Sequence, residues 1–322
     1  MGRLAVLSFT FRKNTASLRA SISIAARRDE GKNLPIYQLK GDHLAMARSF
    51  LGPATAKNAM LVTLLEHGTD YFWGDFDVNG RLKALAANEH NRWMLWHHVG
   101  NCADVDWQGI ADVMIASGEP FYYKGPFKQW QPLHRIIGAE RTFTRVSFVL
   151  CKLTETSAVE RGTIAAVSGA IAANQVRQCT RAHLEELARF YEQAGSMRRS
   201  LAELGKIMDR QQRFYAVWEE GRIASAAFTE FEGDDFATII CVYTDPSKRR
   251  LGYSENCVHE LTRTLWLDGK IAWLYWNNPA AGRIYHRLGY RPDGLWIRCN
   301  YDAVPQAGTP ADQADIAGIK EG

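Results

Sequence analysis

The stretch VYTDPSKRRLGYS, residues 242–254, decides the fold of this chain. An apolar strand leads into Pro246 and a cationic turn, and after Gly252 a helix-compatible sequence begins at Ser254. A helix that starts directly after such a turn points unpaired backbone N–H groups and the positive end of its dipole at one place. The stretch therefore predicts a binding site for a diphosphate.

The side chains of this turn suit the same ligand. Gly252 lets the backbone approach an anion where a Cβ would intrude, and Ser254 can donate a hydroxyl or cap the helix. Arg249 and Arg250 carry charges that persist at neutral pH. In sequence, residues 249–254 resemble the R-x-x-G-x-G/A signature of the GNAT superfamily of acyl-CoA-dependent N-acyltransferases, with Ser254 at the last small position.

The resemblance implies a co-substrate and the residues that bind it. Acetyl-CoA, or another acyl-CoA, would donate the acyl group, and no metal would be needed. The diphosphate would lie on the turn and the pantetheine arm along the preceding strand. The residues of this site would be Val242, Tyr243, Thr244, Arg249, Arg250, Leu251, Gly252, Tyr253 and Ser254.

A second stretch, LYWNNPAAGRIYHRLGY at residues 274–290, supports the first. Asn278 followed by Pro279 indicates an N-cap and a first helical position. The short helix would carry Tyr285 and end near Gly289, which tolerates a positive φ. In the GNAT superfamily the Asn at this place binds the pantetheine or its neighbouring backbone, and the Tyr lies beside the thioester sulfur. The resemblance therefore adds Asn278 and Tyr285 to the cofactor site.

The resemblance also implies a mechanism. The strand before the cationic turn and the strand before the second helix would splay apart around the pantetheine arm. A backbone N–H near Val242 would stabilise the oxyanion. Tyr285 is the candidate acid for the departing thiolate, because its reference pKa of about 10 is a fair match to an alkyl thiol. Many family members carry a Glu on the strand before the turn, but residues 237–241 contain no carboxylate. Of the acids just upstream, among them Glu230, we take Glu232 as the candidate base; the alternative is that all are solvated turn residues.

Composition excludes several other classes of protein. The chain has 322 residues, 46% of them hydrophobic, which is enough for two domains with sizeable cores. Its net charge of +4 is mild, no apolar stretch is long enough to cross a bilayer, and the six cysteines lack metal-binding spacing. We therefore expect a cytoplasmic protein that binds neither nucleic acid nor membrane. Its acceptor would be a small-molecule or peptide amine, and the chain would be a monomer or a homodimer.

The two halves of the chain repeat a pattern weakly. Asn79-Gly80 and Glu220-Gly221 both predict β-hairpin turns, and residues 133–138 resemble residues 285–289. Residues 96–102, where the first half should have its phosphate turn, contain no Arg before the glycine. We expect an α/β (α+β) fold of tandem GNAT-like domains, each a mixed, mostly antiparallel sheet flanked by helices. The central strands of the C-terminal domain would be splayed.

The expected organisation has five parts. They are a poorly ordered basic extension at 1–33, a GNAT-like domain without a cofactor turn at 34–153, a linker at 154–174, a GNAT N-acetyltransferase domain at 175–303 and a loose tail at 304–322. The first 28 residues contain no acidic residue, so an organelle targeting peptide is the alternative for that extension.

Two other functions compete with that of an N-acyltransferase. The missing strand carboxylate is consistent with a non-catalytic, acyl-CoA-binding regulatory module, which would bind the cofactor without turnover. Paired GNAT-like halves also occur in aminoacyl-tRNA-dependent transferases, and the cationic N-terminus is consistent with one of these. An intact cofactor turn nevertheless favours coenzyme A.

Overall fold

One twelve-stranded sheet runs through both halves of the chain. The computed structural model describes residues 36–66, 71–97, 104–154 and 176–303. The extension at 1–33, the tail at 304–322 and all of the linker except Thr154 lie outside these ranges. In chain order the strands are β1 (Tyr37–Gln38), β2 (Phe72–Phe76), β3 (Leu82–Glu89), β4 (Arg92–His97), β5 (Phe121–Pro126), β6 (Phe143–Leu153), β7 (Val176–Cys179), β8 (Phe214–Glu219), β9 (Arg222–Glu232), β10 (Phe236–Thr244), β11 (Ile271–Trp276) and β12 (Tyr290–Tyr301).

Helices pack on the faces of this sheet. The α-helices of the described ranges are α1 (Asp42–Leu51), α2 (Ala59–Glu66), α3 (Trp107–Ile115), α4 (Phe127–Glu140), α5 (Leu184–Glu192), α6 (Leu201–Asp209), α7 (Tyr253–Leu267) and α8 (Pro279–Arg287). Short 3₁₀ turns lie at 181–183, 195–197 and 246–248. Among the described residues, no helix has the length and apolarity needed to cross a membrane.

The two halves exchange strands. The order across the sheet is β1-β2-β3-β4-β5-β12-β6-β11-β10-β9-β8-β7. Strand β6 belongs to the first half of the sequence but pairs antiparallel with β11 and β12, and β12 also pairs antiparallel with β5. Each half therefore contributes one strand to the other half. The expected tandem fold is confirmed, with the difference that the halves share one sheet instead of having a sheet each.

The two predicted hairpins differ in their turns. Glu220 and Gly221 have φ values of 50° and 76° and form the whole connection between β8 and β9, as a two-residue turn requires. The connection between β2 and β3 is longer than predicted. Because the Asp77 carboxylate accepts hydrogen bonds from the N–H groups of Asn79 and Arg81, at 2.9 and 2.8 Å, it closes a five-residue loop.

The helices of the C-terminal half begin and end close to their predicted bounds. Helix α7 starts one residue earlier than predicted, at Tyr253, and is followed by Gly269 with a φ of 74°. Asn278 is the N-cap of α8, which begins at Pro279 as predicted. Thr180 caps the 3₁₀ turn at 181–183 that precedes α5.

Helix α7 supplies much of the core of the C-terminal half. Its side chains Val258, Leu261 and Leu265 are fully buried against β8 to β11. A second cluster in the N-terminal half surrounds Trp73 and Trp130. Large apolar side chains on both faces of the sheet therefore fix the positions of the strand ends at which the site is built.

Candidate active site

Strands β10 and β11 lie side by side for only part of their length. They pair in parallel from Phe236 and Ile271 as far as Ile239 and Leu274. Beyond that pair both strands continue, toward the cationic turn and toward α8, without pairing to each other. The predicted splay of the central strands is present, and it leaves a gap in which an extended molecule can pair with the backbone of β10.

A bulge in β10 lies beside this gap. Cys241 and Val242 together lie opposite the single residue Ala227 of β9, and Cys241 has a φ of 51°. The hydroxyl of Tyr191, a fully buried residue of α5, donates a hydrogen bond to the Cys241 carbonyl at 2.7 Å. The bulge is therefore held by a side chain of α5, and Val242 lies within the bulge.

The backbone conformation of the cationic turn leaves the N-terminus of α7 uncapped. Asp245 accepts hydrogen bonds from the N–H and hydroxyl of Ser247 at 2.8 and 2.6 Å, which closes the 3₁₀ turn. Arg250 and Gly252 follow with φ values of 67° and 81°. Gly252 is the N-cap of α7 and offers no side-chain cap, so the N–H groups of the first turn stay available to a ligand.

The three cationic side chains of the turn differ in their surroundings. Lys248 forms an ion pair of 2.6 Å with Glu219, which also accepts a hydrogen bond from the Tyr253 hydroxyl at 3.0 Å. These two contacts lower the pKa of Glu219 and tie the turn to the end of β8. Arg249 and Arg250 are exposed and have no ion-pair partner among the described residues. Two guanidinium groups beside an uncapped helix N-terminus form a site for an anion.

Helix α8 forms the other side of the gap. The side chain of Asn278 accepts a hydrogen bond from the N–H of Ala280 at 2.9 Å. Tyr285 is 5% exposed, and burial raises the pKa of its phenol. The Tyr285 hydroxyl has no hydrogen-bond partner within the described part of the chain. Arg287 at the end of α8 donates two hydrogen bonds to Glu255 of α7, at 3.1 and 2.6 Å, and so links the helices that carry the two halves of the site.

The structure does not bring Glu232 to the gap. Glu232 lies opposite Ala237, at the end of β10 remote from the turn. Its Oε1 accepts hydrogen bonds from Arg213 at 2.8 Å and Lys270 at 2.9 Å, and its side chain is 9% exposed. The interpretation of Glu232 as the general base stays a prediction, and the structure places this side chain in an ion-pair cluster with Arg213 and Lys270, away from the gap.

Charged and aromatic side chains meet at the point where β10 and β11 part, and no local sequence pattern signals this meeting. Lys124 Nζ lies 3.8 Å from Glu230 Oε2 and 5.8 Å from the centre of the Tyr275 ring. These residues come from β5, β9 and β11, which are not neighbours in sequence. No group of three or more His, Cys, Asp or Glu side chains within the described ranges could hold a metal ion.

The corresponding gap of the N-terminal half is filled. Strands β4 and β5 pair in parallel only at Arg92 and Trp93, so they also part early. At His97, however, the backbone N–H donates to Gln129 Oε1 at 2.8 Å, and Gln129 Nε2 donates to the carbonyl at 3.1 Å. The amide of Gln129, the third residue of α4, thus occupies the edge of β4. In the C-terminal half the equivalent strand edge, that of β10, is open. The third residue of α8 is Ala281, which is too short to do the same.

Comparison with known proteins agrees with this geometry. Residues 205–298 match the family model described as FR47-like protein. Among solved structures, a tandem GNAT protein from the clavulanic acid biosynthesis pathway superposes with a TM-score of 0.55 at 15% identity, covering 84% of this chain and 98% of that one. This chain has the tandem GNAT fold. No curated protein matches it in sequence.

Two further GNAT structures show the same likeness. An acetyltransferase of the GNAT family from Colwellia psychrerythraea gives a TM-score of 0.56 at 13% identity, covering 84% of this chain and 100% of that one. A GCN5-related N-acetyltransferase from Sphaerobacter thermophilus gives 0.57 at 11% identity, covering 84% and 96%. Each of these two likenesses covers 84% of the chain, so the likeness in fold extends over both of its halves.

Proposed function

We propose that this chain is a GNAT-type N-acyltransferase that moves an acetyl or other short acyl group from acyl-CoA to a primary amine of a small molecule or peptide. One observation carries the proposal: the gap between β10 and β11 leads to the uncapped N-terminus of α7, beside the exposed side chains of Arg249 and Arg250. A long molecule with a diphosphate near one end and a thioester at the other fits this arrangement. The FR47-like match over the same half supports it.

Acyl-CoA would be held along its length. Its diphosphate would accept hydrogen bonds from the N–H groups of residues 251–254 and would pair with Arg249 and Arg250. Its pantetheine arm would pair with the backbone of residues 242–244 as an added strand. Asn278, at the start of α8, would lie beside the same arm. The residues named here lie in the GNAT-like sequence stretches, beside the gap between β10 and β11.

The reaction forms a C–N bond and breaks a C–S bond. The neutral amine attacks the thioester carbonyl, and a backbone N–H at the Val242 bulge stabilises the oxyanion. When the intermediate collapses, Tyr285 gives its phenolic proton to the thiolate of coenzyme A. The surplus proton on the new amide nitrogen returns to the phenolate through water, so the products are a neutral amide, a thiol and an unchanged Tyr285.

Burial prepares Tyr285 for this role. Because burial raises the pKa of the phenol above its ordinary value, Tyr285 remains protonated through the neutral and mildly alkaline range. With Glu232 held in its ion-pair cluster, the amine would lose its own excess proton to solvent before it attacks. Activity should therefore rise with pH as the acceptor amine becomes neutral, without an alkaline decline due to Tyr285 below about pH 10.

One acyl-CoA would bind to each chain. In the N-terminal half the amide of Gln129 makes the two backbone hydrogen bonds that a pantetheine arm would need. That half also has Leu133 at the position in α4 that Tyr285 occupies in α8, counted from the first residue of each helix. The N-terminal half would therefore shape the acceptor side of the cleft.

A thiol-release assay tests the function directly. Purified protein, acetyl-CoA and a panel of primary amines should yield free coenzyme A and the matching amide. Tyr285→Phe should lower kcat by about a hundredfold, the size of a general-acid effect, with little change in the KM for acetyl-CoA. Tyr301→Phe, which removes a buried hydroxyl from the N-terminal cluster, is the control and should keep kcat. An equal loss in both variants would contradict the role of Tyr285.

A non-catalytic acyl-CoA-binding module is the second candidate. It is favoured by the absence of a carboxylate from residues 237–241 and by the pairing of Glu232 with Arg213 and Lys270. Tight acyl-CoA binding without thiol release across a broad amine panel would establish it. A single good acceptor would exclude it. For the tRNA-dependent alternative, salt-sensitive binding of tRNA is the corresponding test.

A further inference from the structure

The strand gaps of the two halves meet at one place. Tyr275 is the first residue of β11 after its last pair with β10, which joins Ile239 and Leu274. Lys124 is the first residue of β5 after its last pair with β4, which joins Trp93 and Tyr123. Lys124 Nζ lies 5.8 Å from the centre of the Tyr275 ring, so the equivalent positions of the two halves are in contact.

A second bulge directs Glu230 to the same place. Thr229 pairs with Ile239 and Phe231 pairs with Thr238, which leaves Glu230 as an extra residue of β9. Its Oε2 lies 3.8 Å from Lys124 Nζ, although four strands separate β9 from β5 in the sheet. The sheet must therefore curve strongly, and this contact closes across its concave face. The two side chains are 24% and 20% exposed, so the pair is still reachable by solvent.

Aromatic rings form a wall beside this charged pair. Tyr275 stacks on Trp296 with ring centres 6.0 Å apart and planes 6° apart, and Phe148 meets Tyr275 edge-on at 5.5 Å. All three rings are half-buried. The indole N–H of Trp296 has no hydrogen-bond partner among the described residues. We call Lys124, Phe148, Glu230, Tyr275 and Trp296 the interdomain pocket.

The interdomain pocket lies next to the β10 bulge. Burial raises the pKa of the Cys241 thiol to about 12, Arg199 and Lys124 act to lower it, and Glu230 acts to raise it. Tyr275 packs against the buried cluster that contains Cys241, and the extra residue Glu230 lies opposite Ile239, two residues before Cys241. Since the proposed function puts the thioester carbonyl at this bulge, a molecule in the pocket would be within reach of the acyl group.

We propose that the interdomain pocket binds the acceptor, and that the acceptor is an α-amino acid or a similar small zwitterion with an apolar or aromatic side chain. The inference rests on the proposed function and names its substrate class. Glu230 pairs with the ammonium group, Lys124 pairs with the carboxylate, and the side chain lies on Tyr275 and Trp296. The N-terminal half supplies Lys124 and so takes part in substrate recognition.

The charges of the pocket fit a zwitterion better than a simple amine. At 3.8 Å, Lys124 and Glu230 are beyond hydrogen-bond reach of each other, so each can still bind an opposite charge. A plain amine would satisfy Glu230 and leave Lys124 without a carboxylate in a partly desolvated place, which is unfavourable. Burial lowers the pKa of Lys124, but Glu230 and Tyr275 outweigh burial and keep the pKa raised, so its charge persists.

Matched acceptors test the proposal on the full-length protein. Phenylalanine, phenylalaninamide and phenethylamine share a side chain, and only the first carries a carboxylate; leucine, leucinamide and isoamylamine form a second series. We expect the protein saturated with acetyl-CoA to use one of the amino acids with a kcat/KM at least about tenfold above that of its amine, the size of one charged hydrogen bond. Lys124→Met should remove this preference, chiefly by lowering the kcat/KM of the amino acid about tenfold.

Control variants separate recognition from structure. Lys57 pairs with Asp293 at 2.5 Å and lies 5.8 Å from the Trp273 ring, so Lys57→Met removes a similar contact outside the pocket and should keep the preference. The exchange Lys124→Glu with Glu230→Lys restores an ion pair and should keep the melting temperature but not the preference. Equal use of amine and amino acid by the wild type, or an equal loss for both acceptors in Lys124→Met, would overturn the proposal.

Calorimetry distinguishes this proposal from the proposed function. The protein should bind coenzyme A, and with coenzyme A bound it should take up one of the amino acids, whether or not turnover follows. Lys124→Met should bind coenzyme A unchanged and lose the amino acid. If coenzyme A binds but no α-amino acid does at millimolar concentration, the acceptor proposal fails while the cofactor site stands. If coenzyme A itself fails to bind, the proposed function fails.

Discussion

At the scale of single residues, the candidate site depends on residues with positive φ values and on the side chains that hold them. Gly252 has a φ of 81° at the start of α7, and Cys241 has a φ of 51° at the β10 bulge. The first conformation favours glycine, and the second is fixed by the Tyr191 hydroxyl on the Cys241 carbonyl. The backbone geometry beside the cofactor gap therefore depends on a glycine at the start of α7 and on a hydrogen bond from α5.

Replacing Tyr191 by Phe should loosen the bulge. The change leaves the Cys241 carbonyl without its hydrogen bond, and we expect a loss of about 1–3 kcal/mol in the free energy of unfolding. The KM for acetyl-CoA should rise severalfold because Val242 is no longer held in place. Tyr123→Phe is the matched control, since its fully buried hydroxyl donates to the Pro126 carbonyl in the other half at 3.0 Å. It should cost similar stability and leave KM unchanged; the reverse result would contradict this account.

Buried thiols should make the fold sensitive to alkali. Burial raises the pKa of Cys179, Cys241 and Cys257 to about 12, above the ordinary thiol value. As pH rises above about 9, these thiols ionise in the unfolded chain and stay protonated in the folded one, so stability is lost at up to about 1.4 kcal/mol per pH unit for each. Urea unfolding between pH 8 and 10.5 should show the loss. Cys257→Ala should make it shallower, and an identical slope would refute the claim.

Residue-level predictions from sequence succeed where the pattern is local. The turn glycine and the Asn278 cap follow from short-range backbone chemistry, and the structure places both as predicted. The positions of the acidic side chains near the gap could not be predicted in the same way. Whether Glu230 or Glu232 faces the cleft depends on the bulge opposite Ile239, and a bulge changes the side to which a strand residue points.

At the scale of elements, the position of α8 on β11 decides where Tyr285 lies. Gly282 of α8 lies against Trp276, and an added Cβ would come within 2.6 Å of that indole ring. At the other end of the helix, Arg287 bonds to the buried carboxylate of Glu255 in α7. The glycine permits the close approach of helix and strand, and the ion pair sets the distance between the two helices.

Gly282→Ala should therefore move α8. Overpacking against a ring is expected to cost about 1–3 kcal/mol of stability and to lower kcat, because Tyr285 is displaced with its helix. Gly205→Ala in α6 is the matched control, since its added Cβ would meet Leu184 at an ordinary 3.6 Å. That variant should be neutral or more stable by up to about 1 kcal/mol, through helix propensity. Thermal unfolding and steady-state kinetics decide the matter; equal behaviour of both variants would contradict the packing argument.

Element bounds were largely predictable, because periodicity and caps act over a few residues. Helix α8 begins at Pro279 as predicted, and α7 differs by one residue. The β2–β3 connection differs because the Asp77 side chain competes for the turn N–H groups that a two-residue hairpin would leave to the strands. A local sequence pattern therefore predicts the bounds of an element well, but it predicts the conformation of the connecting turn less well.

At the scale of the whole molecule, exchange of β6 and β12 makes the two halves one structure. Residues of β6 such as Leu150 and Cys151 pair with both β11 and β12. Removing the first half would expose the edges of both strands together with their apolar side chains. The weak internal repeat predicts the tandem arrangement but not the exchange, because the pairing joins strands that lie far apart in the sequence and leaves no local signal.

Separated halves should not fold alone. A fragment of residues 176–303 lacks the strand between β11 and β12, so we expect it to aggregate or to unfold without a cooperative transition. The full chain should unfold in one transition. Mixing the fragment with residues 36–154 should restore native circular dichroism if exchange is what holds the halves together. A soluble, cooperatively folded fragment would show that the halves are independent domains.

Titration of coenzyme A into the wild type and two glycine variants by calorimetry tests the cofactor site most directly. Gly252→Glu and Gly269→Glu place the same side chain at positive φ values of 81° and 74°, at opposite ends of α7, so their backbone strain is matched. We predict one coenzyme A per wild-type chain, retained binding in Gly269→Glu, and binding weakened at least about a hundredfold in Gly252→Glu by the carboxylate on the diphosphate site. Equal affinity in all three proteins would contradict the site.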